Sequence, residues 1–166
     1  SNFNTSNVTS MSGMFQECKN LKTIKIGNID TSNCSSFYQM FLDCNQLESV
    51  DLESLEGTAD VNIVGMLKGC SKLTEIDLSG LNGVGTHYSY VDDITFNETD
   101  CLGRIKTPKN VSCDIKLPDN GTWKDSTGKV YTKLPKGKAT SILLTNIGTP
   151  SKVVVREGKT LVTDSK

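Results

Sequence analysis

Three segments of this chain superimpose without gaps at a spacing of 26 residues: GMFQECKNLKTIKIGNI (13–29), QMFLDCNQLESVDLESL (39–55) and GMLKGCSKLTEIDLSGL (65–81). The shared columns are Met14, Met40 and Met66; Phe15, Phe41 and Leu67; Cys18, Cys44 and Cys70; and Leu21, Leu47 and Leu73. Three further apolar columns follow, beginning with Ile24, Ile26 and Ile29. A weaker fourth copy, offset by 29, aligns Phe96, Leu102 and Ile105 and stops at Thr107-Pro108, since proline cannot donate to a continuing ladder. A unit this short cannot bury its apolar side alone. A repeat of this period therefore restricts the chain to folds in which each unit covers the next.

Each copy changes period in its middle. Val8, Met11, Met14, Phe15 and Cys18 recur at helical spacing, as do Cys34, Phe37, Met40, Phe41 and Cys44. NTSN (4–7) and DTSN (30–33) precede them with good helix N-cap residues. The following Leu-x-x-Ile-x-Ile alternates as a short strand does. These patterns predict an α/β fold, a leucine-rich-repeat-like solenoid with one short helix and one short parallel strand per 26-residue repeat.

The segment FNTSNVTSMSGMFQECKNLKTIKI resembles, nearly column for column, the BspA-type leucine-rich repeat of bacterial surface proteins. The likeness covers roughly residues 1–108. The third copy departs from it, with EGTADVNIV in place of the TSNV segment, and the fourth loses the Met and Cys columns. The resemblance implies an extracellular or cell-surface, non-enzymatic protein of a host-associated microbe, commonly linked to attachment. It implies a protein partner, such as host extracellular matrix or another surface protein, and no particular ligand. Because residue 1 falls inside a repeat, the chain is expected to be a fragment of a longer exported protein.

Two units are expected: a solenoid of about four repeats over 1–116, and a small all-β unit over 117–166. In the second, Trp123, KDSTG (124–128) and KVYTKLP (129–135) read as a hairpin. ATSILLT (139–145), KVVVRE (152–157) and TLVT (160–163) read as further strands. The unit either caps the open end of the array or begins a next module.

Charge and composition remove several function classes. A net charge of -1 gives no electrostatic footing for nucleic acid. The longest purely apolar runs are triplets such as Val153-Val154-Val155, too short for direct membrane insertion by this chain. Ser, Thr and Asn make up 48 of 166 residues, which suits an elongated molecule with a thin core. Six cysteines occur without the close pairs that zinc sites use, and one histidine is present, so neither a metal, a cofactor nor a catalytic residue is expected. Cys18, Cys44 and Cys70 read as a reduced structural column of small buried side chains. Cys101 and Cys113 flank the Pro108 turn, and spacing alone leaves their bonding open.

Two places remain for function. On the strand face, alternation turns Lys25, Asp51, Glu53, Glu75, Asp77 and Lys106 outward, giving an acidic middle between basic edges. Lys25, Asp51, Asp77 and Lys106 should form one cross-strand row, suited to weak, salt-sensitive contact with a basic surface. The second place is the irregular segment 82–93, where His87, Tyr88, Tyr90, Asp92 and Asp93 make a candidate recognition loop. The runner-up to recognition is a passive spacer that presents other domains of a longer surface protein. Oligomeric state is not readable from the pattern.

Overall fold

The computed structural model describes residues 4–27, 29–85 and 94–148. In each repeat the alternating run forms a strand: β1 (Thr23–Lys25), β2 (Ser49–Asp51), β3 (Glu75–Asp77) and β4 (Arg104–Lys106). Their central residues Ile24, Val50, Ile76 and Ile105 point toward the core, and the flanking residues point out. β1 and β2 pair in parallel with Thr23 opposite Ser49 and Lys25 opposite Asp51. β3 and β4 pair in parallel with Glu75 opposite Arg104 and Asp77 opposite Lys106. β2 and β3 are neighbours without a ladder, so the strands divide into a two-stranded and a five-stranded sheet.

The half of each repeat expected to be helical is not. Among the described residues there is no helix, and the fold is all-β rather than a helix-plus-strand leucine-rich-repeat-like solenoid. The backbone donors show why. In an α-helix every interior N–H bonds four residues back. Here the N–H groups of Met14, Gln16 and Cys18 reach back three residues, to Met11, Gly13 and Phe15. The alternate groups, on Met11, Gly13, Phe15 and Glu17, instead donate to Ser36, Tyr38, Met40 and Leu42 of the next repeat. Phe37, Gln39, Phe41 and Asp43 do the same to Asn62, Val64, Met66 and Lys68. The segment is a chain of tight turns whose spare donors stitch neighbouring repeats together.

Backbone handedness enforces this. Gly13 and Glu17 have φ of +65° and +56°, Gln39 and Asp43 +53° and +59°, and Gly65 and Gly69 +67° and +76°. A right-handed helix cannot pass through such residues. The turns still bring the chain round every three or four residues, so the apolar spacing mimics a helix that does not form. The predicted N-caps are likewise turn residues. Asn4 Oδ1 accepts from the Ser6 backbone at 3.1 Å, and Asp30 Oδ1 from that of Ser32 at 3.0 Å, closing local Asx turns.

One core runs through the whole described chain. Phe37, Met40, Phe41, Cys44 and Leu47 are fully buried, as are Met66, Leu67, Cys70 and Leu73 one repeat on. Phe15 stacks on Phe41 with centroids 5.3 Å apart and planes 7° from parallel. The C-terminal part adds to this core with Trp123, Leu134 and Leu144. It contributes β5 (Trp123–Lys124), β6 (Val130–Tyr131) and β7 (Leu143–Asn146). β5 and β6 make the hairpin read from KDSTG, with Trp123 opposite Tyr131 and Gly128 at φ +87°. β7 lies antiparallel against β4, with Arg104 opposite Thr145 and Lys106 opposite Leu143. The edge of the last parallel strand is thereby paired, which removes an exposed template for strand addition. The stretches 152–157 and 160–163 lie outside the described residues.

Candidate functional site

The strand face assembles from the alternation within β1 to β4. Because each central residue is held in the core, the residues on either side of it face solvent. The register then places cation against anion. Lys25 Nζ lies 3.2 Å from Asp51 Oδ2, Lys106 Nζ 3.1 Å from Asp77 Oδ2, and Arg104 Nη1 3.8 Å from Glu75 Oε2. The four charges expected in one cross-strand row instead form two ion pairs in two sheets, Lys25 with Asp51 and Asp77 with Lys106, because β2 and β3 do not pair, and each base is spent on neutralising its neighbouring acid.

Two acids of the row are further restrained from below. The Glu53 N–H donates to Asp51 Oδ1 at 3.1 Å, and the Ser79 N–H to Asp77 Oδ1 at 2.9 Å. For Asp51 this hydrogen bond, with Lys25 beside it, holds the carboxyl below its ordinary range. For Asp77 partial burial pushes the other way, but the bonds from Ser79 and Lys106 outweigh it and the carboxyl again ends low. Asp51 and Asp77 feel each other's charge across the unpaired β2–β3 seam. A cleft of about 260 Å³ is lined by Val50 of β2, Glu75, Ile76 and Asp77 of β3, Arg104 and Lys106 of β4, and Leu143 of β7. Glu53 stands exposed just beyond the end of β2.

The face is larger than the repeats predicted. β7 and β5 extend the row of Glu75 and Arg104 through Thr145 and Lys124 to Val130, and the row of Asp77 and Lys106 to Leu143. Leu143 and Val130 are 44% and 54% exposed, so apolar side chains join a surface that looked wholly polar. ATSILLT was legible as a strand, but its partner is β4, some forty residues away, and no local pattern encodes such a pairing.

The recognition loop of His87, Tyr88, Tyr90, Asp92 and Asp93 lies outside the described residues. The cysteine column is brought together. Cys44 Sγ sits 3.0 Å from the Phe15 carbonyl, and Cys70 Sγ 3.2 Å from that of Phe41. Each thiol thus donates to the repeat before it. All six cysteines are reduced thiols, with no disulfide between Cys101 and Cys113. Burial pushes the Cys70 thiol up to about 12 and raises Cys44 and Cys34 as well, which suppresses the nucleophilic thiolate. Among the described residues no group of three or more His, Cys, Asp and Glu is gathered to hold a metal. Sequence reading missed one charged cluster: Asp114 between Lys133 at 2.8 Å and Lys136 at 2.7 Å. These lysines hold its carboxyl at about 2.

Residues 1–95 match a family model described as Mycoplasma protein of unknown function, DUF285. The match spans more than half of the chain, and the chain belongs to that family. No curated protein and no solved structure matches it.

Proposed function

We propose that this DUF285 chain is a cell-surface recognition module, one that attaches to a protein partner such as host extracellular matrix or another surface protein, without chemistry of its own. The carrying observation is the strand face, where repeat after repeat presents side chains in register and β7 adds an apolar flank. The likeness of the repeats to the BspA-type surface repeat supports an extracellular setting. A surface of paired charges with Leu143 at its border gives modest affinity and strong dependence on salt. Direct binding to immobilised matrix proteins at low and at physiological salt tests this reading. Salt-sensitive binding that weakens in Asp51→Asn and Asp77→Asn is expected. Binding that both substitutions leave unchanged would overturn the role of this face.

A second reading, a passive spacer, draws on the same ion pairs. Lys25, Arg104 and Lys106 already satisfy the acids beside them, and a face neutralised internally offers a partner little. A chain that binds no matrix or surface protein even at low salt decides for the spacer.

A further inference from the structure

The chain contains two Asn-Gly steps, Asn82-Gly83 and Asn120-Gly121. At such a step the glycine nitrogen can attack the asparagine side-chain carbonyl, because no Cβ on the following residue blocks the approach. Whether it does depends on how freely the amide can rotate and whether its nitrogen can leave.

The two sites differ in that respect. The Asn120 amide is clamped: Nδ2 donates to the Leu102 carbonyl at 2.8 Å and to the Asp100 carbonyl at 3.2 Å. Its Oδ1 accepts from Asn146 Nδ2 at 2.8 Å. Asn82 is exposed to water. What the fold uses there is the main chain, with Asn82 N–H donating to the Glu56 carbonyl and the Asn82 carbonyl accepting from Asn110 Nδ2 at 2.9 Å.

We propose that Asn82 is a site of spontaneous deamidation in the folded protein and that Asn120 is protected from it. The Gly83 nitrogen forms a bond to Asn82 Cγ and gives its proton to solvent. The bond from Cγ to the side-chain nitrogen breaks, and that nitrogen leaves as ammonia. Water then opens the cyclic imide at either carbonyl, leaving an aspartate or an isoaspartate at position 82. No oxidant, reductant or cofactor enters the balance. Both products add a negative charge.

The isoaspartate also lengthens the main chain by one carbon, between two packed residues. Leu81 and Val84 on either side are buried, and Val84 bridges both Val61 and Val111. Gly83 itself lies against Ala59, whose carbonyl oxygen would stand 1.9 Å from a Cβ placed there. The modification therefore loosens the strap joining the third repeat to the fourth, and makes that junction a record of the protein's age.

The test is incubation of the folded chain in mildly alkaline buffer at physiological temperature, followed by peptide mapping with mass detection and isoaspartate-specific methylation. A parallel sample is kept in urea. The expected result is conversion of the peptide containing Asn82 ahead of that containing Asn120 in the folded chain, with the difference vanishing in urea. Asn82→Gln should abolish the early product while leaving the urea product at Asn120. Equal conversion at both sites in the folded chain overturns the proposal. So does a folded chain that converts at neither site while both convert in urea.

Discussion

Gly69 occupies the left-handed turn position that Glu17 and Asp43 fill in the preceding repeats, and an alanine there measures how tightly the repeats are stitched. Three contributions add. The residue sits at φ +76°, where a side chain costs about 1–2 kcal/mol. Loss of glycine's freedom in the unfolded chain returns about 0.4–1 kcal/mol. The new Cβ would stand 2.3 Å from Asp43 Oδ1 and 3.1 Å from Asp43 Cα. The carboxylate can swing aside, but the Cα belongs to backbone held by the Asp43 N–H bond to Lys68. Overpacking of that kind costs about 1–3 kcal/mol. The expected net loss for Gly69→Ala is about 3 kcal/mol, read as a fall in urea midpoint at unchanged slope. Two controls separate the contributions. Gly128 has φ +87° and nothing within 4 Å of a Cβ, so Gly128→Ala should lose only the conformational part, about 0.5–1 kcal/mol. Gly27 has open space and no left-handed φ, so Gly27→Ala should be neutral or gain about 0.4–1 kcal/mol. If Gly69→Ala proves no less stable than Gly128→Ala, close stacking of the turn rows is refuted.

Met14 and Met40 share a repeat column, but Met14 is 60% exposed and Met40 is fully buried. Met40→Ala should cost about 2–5 kcal/mol by urea denaturation, and Met14→Ala less than about 0.5 kcal/mol; equal costs would count against the stacking order. Under native conditions a thiol reagent should label half-buried Cys18 and Cys113 first. Cys70, with its thiol near 12, should react only as fast as the protein opens, and early labelling of Cys70 would contradict its burial. The carboxyls of Asp114 and Asp125, held at about 2 by Lys133 and Lys136 and by Thr127 respectively, lie below their unfolded range near 4. Their contribution is complete above that range and fades as pH falls from about 5 toward about 2. Asp114→Asn should flatten the acid limb of a stability-against-pH curve, and an unaltered limb would remove Asp114 from the account.

The repeat itself, its columns, the strand positions and the outward alternation all follow from residues within one copy. Ile24, Val50, Ile76 and Ile105 alternate with polar neighbours, and alternation has a single structural solution. For the turn half the sequence misleads: Val8, Met11, Met14, Phe15 and Cys18 fit a helix as well as they fit consecutive tight turns. What chooses between them is the partner of every second N–H, which lies in the next repeat. Glycine at 13, 65 and 69 hints at the left-handed turns, but Glu17, Gln39 and Asp43 hold the same backbone without that signal. The charge row was readable as charges. So was the parallel register that sets Lys25 beside Asp51 and Asp77 beside Lys106, which the repeat alignment carries, but the unpaired seam between β2 and β3 was not. Leu143 beside Lys106 rests on the longest-range strand pairing among the described residues. Local periodicity sets which side chains are buried, since it acts within a few residues. Hydrogen-bond partners are settled between repeats, where only the folded chain brings donor and acceptor together.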